Sequence, residues 1–211
     1  KTRISSVKST RKITSAMKMV AASKLRRAQE LAESSRVYSE SLGFILSSLS
    51  SGSKDGSDLP EVLVGRANPK VALLIINSSD RGLCGGFNSS LFRSAISWIK
   101  EKKSKGIEVK LLPIGKKASA FYKRSDLEII ENFEDINTNE RQLEVSDSVK
   151  NKISELFESQ AIDEVSILYN KFVSAIAQEP TYKSLIPLEQ PNSDEDTQDS
   201  GNASFEFEPD K

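Results

Sequence analysis

A chain of 211 residues, 37% apolar and 28% charged, has room for one ordinary domain plus an extension, or for two small domains. It holds no histidine and a single cysteine, Cys84, which excludes imidazole catalysis, the common catalytic triads, most zinc sites and an internal disulfide. Net charge is zero and so selects no partner, but the ends differ: residues 1–29 carry nine Lys or Arg and no acid, and residues 189–211 carry eight acids and one Lys.

The first predicted element is one long helix over residues 1–52. No Gly precedes Gly43, no Pro precedes Pro60, and strong helix formers dominate Ala16–Ala32. Apolar or small residues recur at nearly 3.5-residue spacing through Ile4, Val7, Thr14, Met17, Ala21, Ala28, Leu31, Ser35, Tyr38, Leu42, Ile45 and Leu49. That is a coiled-coil seam diluted by Thr and Ser. Ser50–Gly52 ends it. About fifty helical residues span roughly 75 Å. The remaining ~160 residues, if compact, are roughly 40 Å across. Such a helix exceeds its own domain and needs a partner, either another chain or a C-terminal segment beyond residue 211. The absence of an initiator Met and the abrupt start within a helical pattern read as a fragment of a longer protein.

The cations Lys1, Arg3, Lys8, Arg11, Lys12, Lys18, Lys24, Arg26 and Arg27 line this helix. A solvated face is the plain reading. Nucleic acid is disfavoured because no aromatic residue lies in Lys1–Val37. A membrane-surface helix is disfavoured because bulky apolar anchors are sparse there. A docking surface for an acidic protein ring fits the charge and the small residues together. No run of the chain approaches the ~18 apolar residues of a membrane span.

Residues 53–69 read as a linker and 70–188 as a globular domain. Val71–Asn77 is a continuous apolar run, as in a strand buried on both faces. A helix is predicted from Ser89 to Lys103 with Leu91, Phe92, Ala95, Ile96, Trp98 and Ile99 inward. Then come a strand over Val109–Ile114, a short helix over Lys116–Arg124 and a third strand over Leu127–Phe133. An amphipathic helix follows over Leu143–Phe157, with Leu143, Val149, Ile153, Leu156 and Phe157 inward. Strands over Val165–Phe172 and Thr181–Leu188 close the domain. The alternation predicts an α/β fold, a Rossmann-like, mostly parallel sheet with helices on its faces. Residues 189–204 read as an acidic loop, and Phe205–Pro209 as a short strand leading out of the domain.

One string stands out: Ser78-Ser79-Asp80-Arg81-Gly82-Leu83-Cys84-Gly85-Gly86-Phe87-Asn88. It follows a strand and opens a helix, the position of a phosphate-binding loop. It lacks the Gly-Lys-Ser/Thr ending and the Gly-x-Gly-x-x-Gly spacing. The reading preferred over nucleotide binding is a tight turn whose glycines allow positive φ and close packing. Cys84 is expected to be a buried small residue rather than a reactive thiol.

Ile13-Thr14-Ser15-Ala16-Met17-Lys18-Met19-Val20-Ala21-Ala22-Ser23-Lys24-Leu25-Arg26-Arg27-Ala28 closely resembles the N-terminal signature of the gamma subunit of F-type ATP synthase. Ser79–Asn88 is similar to that family's central motif, in the same order and at the expected distance. The resemblance extends over the whole chain, including Phe205–Pro209, which looks like the lead-in to the family's long C-terminal helix. It implies an α/β domain with a long N-terminal coiled-coil helix whose C-terminal partner helix is missing here. The implied function is that of a central rotor shaft, without catalytic groups or cofactor. Ion flow turns the c-ring and shaft, and the shaft drives the beta subunits through their states. Implied partners are the alpha and beta subunits, an epsilon-type (or delta-type) central-stalk subunit and the c-ring. No nucleic acid is implied, and membrane contact comes only through the complex. Implied location is the inner face of a bacterial cytoplasmic membrane, with the mitochondrial matrix side as the other reading.

Carried over by residue, Ile13, Met17, Lys18, Val20, Lys24, Leu25 and Arg26 match the family's shaft stretch, and each is either a seam or solvated position or a contact to beta. Lys8, Arg11 and Lys12 fall nearer the tail end. Arg81, Gly82, Cys84, Gly85 and Gly86 would shape the domain's loop or a subunit interface. A plant-type thiol switch needs a cysteine pair and is excluded. The alternatives are a nucleotide-binding α/β protein with a basic helical arm and a basic coiled-coil binder of nucleic acid.

Overall fold

A computed structural model describes residues 2–52, 60–174 and 176–188. The chain divides into two compact units between Lys54 and Asp55. The first is helix α1, Thr2–Gly52, uninterrupted over 51 residues. Its length follows from helix-forming composition without Gly or Pro until Gly43, and Thr10 and Thr14 tuck their hydroxyls onto the carbonyls of Ser6 and Thr10. Charge does not support it. There is no acid in the first turn and no cation in the last, and its Lys and Arg crowd the positive end of the dipole. The predicted seam is bare: Ile4, Val7, Met17 and Tyr38 are each more than 60% exposed. Helices in proteins owe most of their stability to burial of an amphipathic face, and among the described residues of this unit nothing buries it.

The second unit is a five-stranded sheet of order β3-β2-β1-β4-β5. Strands β1 (Val71–Asn77), β2 (Glu108–Ile114), β3 (Glu128–Ile129) and β4 (Glu164–Phe172) are parallel, and β5 (Gln178–Ile186) is an antiparallel edge on β4. Helices α3 (Phe87–Ser104) and α4 (Lys116–Tyr122) cover one face; α5 (Asn139–Glu158) covers the other. A single turn of helix, α2 (Glu61–Val64), precedes the sheet. Strand β1 explains its own sequence. Leu74 and Ile76 enter the core under α3 and α4, Leu73 and Ile75 enter the core under α5, and all four are 0–1% exposed. Burying each such side chain contributes roughly 1.5–3 kcal/mol, which requires an apolar run without polar alternation.

The expected α/β class and mostly parallel sheet are present, with several corrections of detail. Helix α5 starts at Asn139, four residues before Leu143, because Thr138 caps it by accepting from the Arg141 amide at 3.2 Å. Its inward stripe begins at Val145, so Leu143, about 200° away around the helix, is 69% exposed rather than inward. On α3, Ile96 sits beside the stripe of Phe92, Ala95 and Ile99 and is 38% exposed. The third strand is only Glu128–Ile129; the chain leaves the ladder at the exposed Glu131–Asn132 and returns for one bridge, Phe133 to Ile114. Strand β5 begins three residues before Thr181 and ends at Ile186, ahead of Pro187, which has no N–H to donate. The acidic segment 189–204, Phe205–Pro209 and much of the 53–69 linker lie outside the described residues.

Candidate functional site

The loop that follows β1 lies at the carboxyl edge of the parallel sheet, where α/β proteins usually bind ligands. Its own side chains hold it. The Ser78 hydroxyl donates to the Ile114 carbonyl (3.1 Å) and accepts from the Ala118 amide (2.8 Å). This approach demands Gly115: at φ +94°, a Cβ there would lie 2.4 Å from the Ser78 carbonyl oxygen. The Ser79 amide donates to Asn88 Oδ1 (3.1 Å), and Asn88 Nδ2 donates to the Ser79 hydroxyl (2.8 Å), so the loop is pinned to the first turn of α3.

Asp80 is the centre of the arrangement. One carboxylate oxygen accepts from the Lys116 and Asp135 amides (3.0 and 3.1 Å), the other from the Ile136 amide (2.8 Å). Burial alone would raise its pKa, but the three backbone donors and the Lys116 charge outweigh that and hold it below the ordinary carboxylate value. An internal carboxylate therefore fills the cluster of N–H groups that an anionic ligand would use. Asp80 also lines a cleft of about 810 Å³, together with Ile75, Val149, Ile167, Arg81 and Lys150. It lacks a free N–H cradle at Asp80.

The segment Arg81–Gly86 departs from the tight, packed turn expected of it. Gly85 alone among its glycines has positive φ (+59°), and a Cβ there would meet nothing within 4 Å. At Gly82 and Gly86 the nearest atoms to an added Cβ are the Lys117 side chain (3.5 Å) and the Ser89 hydroxyl (3.9 Å). Leu83, also at positive φ, is fully exposed. Cys84 is exposed, not buried, with its sulfur 3.2 Å from Asn88 Nδ2. The glycines thus keep this ridge low, leaving Leu83, Cys84 and backbone open to an approaching surface.

On α1 the named residues fall on different faces. At about 100° per residue, Ile13, Met17, Val20 and Lys24 share one stripe, Lys18 and Leu25 share a second, and Arg26 lies on a third. All seven are exposed, and Arg26 Nε pairs with Glu30 (2.9 Å). One partner helix can cover the first stripe only. Sequence reasoning assigned no role to Ser78, Asp80, Asn88 or Gly115; the signal for the first three was the Ser78–Asn88 string between a buried strand and a helix, and for Gly115 a lone glycine between a strand and a helix.

These features define a class: a Rossmann-like sheet domain in which the Asp80 carboxylate takes three amides at the carboxyl edge of the sheet, preceded by a long basic helix with an uncovered seam. The comparisons agree and go further. The family model described as ATP synthase matches residues 1–211. The chain is 41% identical over 210 residues to the ATP synthase gamma chain of Parvibaculum lavamentivorans, covering 99% of this chain and 71% of that protein. It is 41% identical to the gamma chain of Paramagnetospirillum magneticum, covering 98% and 71%. Its fold matches a chain in the cryo-EM structure of the Tetrahymena thermophila mitochondrial ATP synthase central stalk and c-ring, with a TM-score of 0.58, 30% identity, and coverage of 83% of this chain and 72% of that one. The chain belongs to the ATP synthase gamma chain family, as the resemblance at Ile13–Ala28 and Ser79–Asn88 implied.

Proposed function

We propose that this chain is the central-stalk subunit of an F-type ATP synthase and turns as its rotor shaft. The observation that carries the reading is α1 itself: 51 helical residues with a seam through Met17, Leu31 and Tyr38 that is more than half exposed. A second helix of the same chain, beyond residue 211, is the natural cover for the Ile13–Met17–Val20–Lys24 stripe. The other faces, with Lys18, Leu25 and Arg26, are left for the ring of alpha and beta subunits. Rotation of an asymmetric, basic shaft within that ring favours different beta conformations in turn, a bias on equilibria that already exist in the partners.

The chain acts in this reading without catalytic groups of its own. The Asp80 carboxylate supports that, since the Lys116, Asp135 and Ile136 amides that could face an anion already donate to it. The low ridge Arg81–Gly86 serves as a contact to a neighbouring subunit. The remaining partners are the c-ring and an epsilon-type or delta-type stalk subunit. No helix among the described residues is long and apolar enough to cross a membrane, which suits a peripheral position on the inner face of the energy-coupling membrane. The test is co-purification of the full-length chain with alpha and beta subunits. Failure to join that complex would sink the proposal.

A further inference from the structure

Helices α3 and α4 lie side by side on one face of the sheet, and an aromatic stack joins them. The Phe92 and Phe121 ring centroids are 4.5 Å apart, with 22° between the ring planes. The stack fixes which sides of the two helices meet. On α3, Arg93, Ile96, Lys100 and Lys103 recur at spacings of three or four residues and border Phe92, so they form one stripe along the α4 side. On α4, Lys117 lies one turn before Phe121, and Arg124 follows just past the helix end, both along the α3 side. All five cations are exposed, and no acid falls on either stripe. Between them Phe121 and Ile96 are 46% and 38% exposed.

Other cations of this unit are matched internally. Lys102 pairs with Glu164, Lys105 with Glu101, Lys110 with Glu128 and Lys116 with Asp135. Arg93, Lys100, Lys103, Lys117 and Arg124 have no carboxylate partner among the described residues. Five like charges along one seam repel one another, and an anionic partner relieves that repulsion. Arg93 to Lys103 covers about 15 Å of helix, and Lys117 extends the track to about 20 Å. At that end Lys117 lies beside Gly82, where its Cε and Nζ would be 3.5 Å from an added Cβ. The seam therefore runs on into the Arg81–Gly86 ridge.

The apolar centre of the track selects the class of partner. A nucleic acid carries a phosphate at every repeat and would have to set one over Phe121 or Ile96, and Phe121 already gives one ring face to Phe92. A membrane surface is flat, whereas these side chains are set between two helices. An extended polypeptide covers 20 Å with about six residues. It can place carboxylates against the cations at both ends and an apolar side chain on Phe121 and Ile96 between them.

We infer that the α3–α4 seam receives an acidic, extended segment of the neighbouring subunit that seats on the Arg81–Gly86 ridge. This rests on the central-stalk reading above. Single exposed ion pairs are weak, so the row of cations acts mainly by steering the segment in and setting its register, with the Phe121–Ile96 contact as the anchor.

The test is photo-cross-linking in the assembled complex. A benzoylphenylalanine is placed at position 96 of the full-length chain. The complex with alpha, beta and the remaining stalk subunits is purified and irradiated, and the adduct is sequenced by mass spectrometry. The expected adduct is on another subunit, in a stretch with at least three acids in seven residues. Lys100→Gln combined with Lys103→Gln is expected to lower its yield at least threefold. An undiminished yield overturns the inference. So do adducts confined to lipid, to nucleic acid, to residues 189–211 of this chain or to a stretch without acids. Should the chain with the probe at 96 fail to fold, the probe is moved to the exposed position of Ala120 on α4, and absence of the acidic adduct there overturns the inference equally. A wild-type chain that does not join alpha and beta subunits removes the central-stalk reading and this inference with it. A chain that joins them without giving the acidic adduct overturns the inference alone.

Discussion

The Asp80 carboxylate and the Ile136 amide, 56 residues apart in sequence, meet at 2.8 Å, and with the Lys116 and Asp135 amides on the same carboxylate they tie three loops into one edge. Bonds to a charged acceptor contribute about 1.5–3 kcal/mol each, and removing the acceptor leaves its donors to be resolvated. Asp80→Ala is expected to lower unfolding stability by about 2–4 kcal/mol, within the range for loss of a hydrogen-bonded network. Asp80→Asn, which keeps one acceptor oxygen, should lose less. Because the folded pKa lies below the unfolded value, the Asp80 contribution is fully present above the unfolded pKa and is lost as pH falls through the folded one. Stability of the wild type should therefore drop below about pH 4, and that part of the drop should vanish in Asp80→Asn. Urea titrations at several pH values measure both effects.

An internal carboxylate on these three amides also predicts silence towards nucleotides. Calorimetric titration of the chain with ATP or a dinucleotide should give no saturable heat at micromolar concentrations. Binding in that range that disappeared on altering Gly82 or Gly86 would restore the nucleotide-binding alternative.

How much of this was legible in the sequence depends on what holds each element. Strand β1 was readable residue for residue, because Ala72–Ile76 are buried from both sides and no polar residue can interrupt them. The span of α1 was readable for the opposite reason, a long stretch without breakers. Strand β3 was overread, because Leu127–Phe133 looks like a strand but sits at an edge, where only Glu128–Ile129 form a ladder with β2. Leu143 misled because apolar character does not state which side of a helix faces inward; Val145 settles that by packing with Leu73 and Phe157. Asp80 was invisible as a clamp, since its three partners are backbone amides brought close by folding; Arg66 was invisible because two of its four partners are carbonyls and its carboxylate partner Asp163 is 97 residues away. Cys84 was misread because a small residue between glycines suggests a packed turn, and here the turn packs against little.

The uncovered seam yields a contrast between fold and assembly. Met17→Gln and Val20→Gln alter side chains that are 67% and 57% exposed, so the unfolding of the sheet domain should change by less than about 0.5 kcal/mol. In the full-length chain the same substitutions should reduce recovery with alpha and beta subunits, because they place amides in a helix–helix seam. Lys18→Gln should behave differently. Lying on another face, it should leave the seam intact and instead lessen the sensitivity of assembly to added salt. Pull-down yields across a salt series separate the two faces.

Cys84 reports on the ridge beside it. Its exposed thiol should react with a maleimide in the isolated chain to about one label per molecule, there being no other cysteine to compete. If Arg81–Gly86 contacts a neighbouring subunit, assembly should slow that reaction by at least about tenfold, since the thiolate must be reachable to attack. Protection could also arise from a local change in the loop. Asn88→Ala distinguishes the two, because it removes the 3.2 Å Nδ2 contact to the sulfur and the tie to Ser79, loosening the loop without enlarging any side chain. The variant should label faster when free and regain most of its protection on assembly. Equal labelling rates for free and assembled wild type would remove this ridge from the interface and leave α1 as the principal contact to the ring.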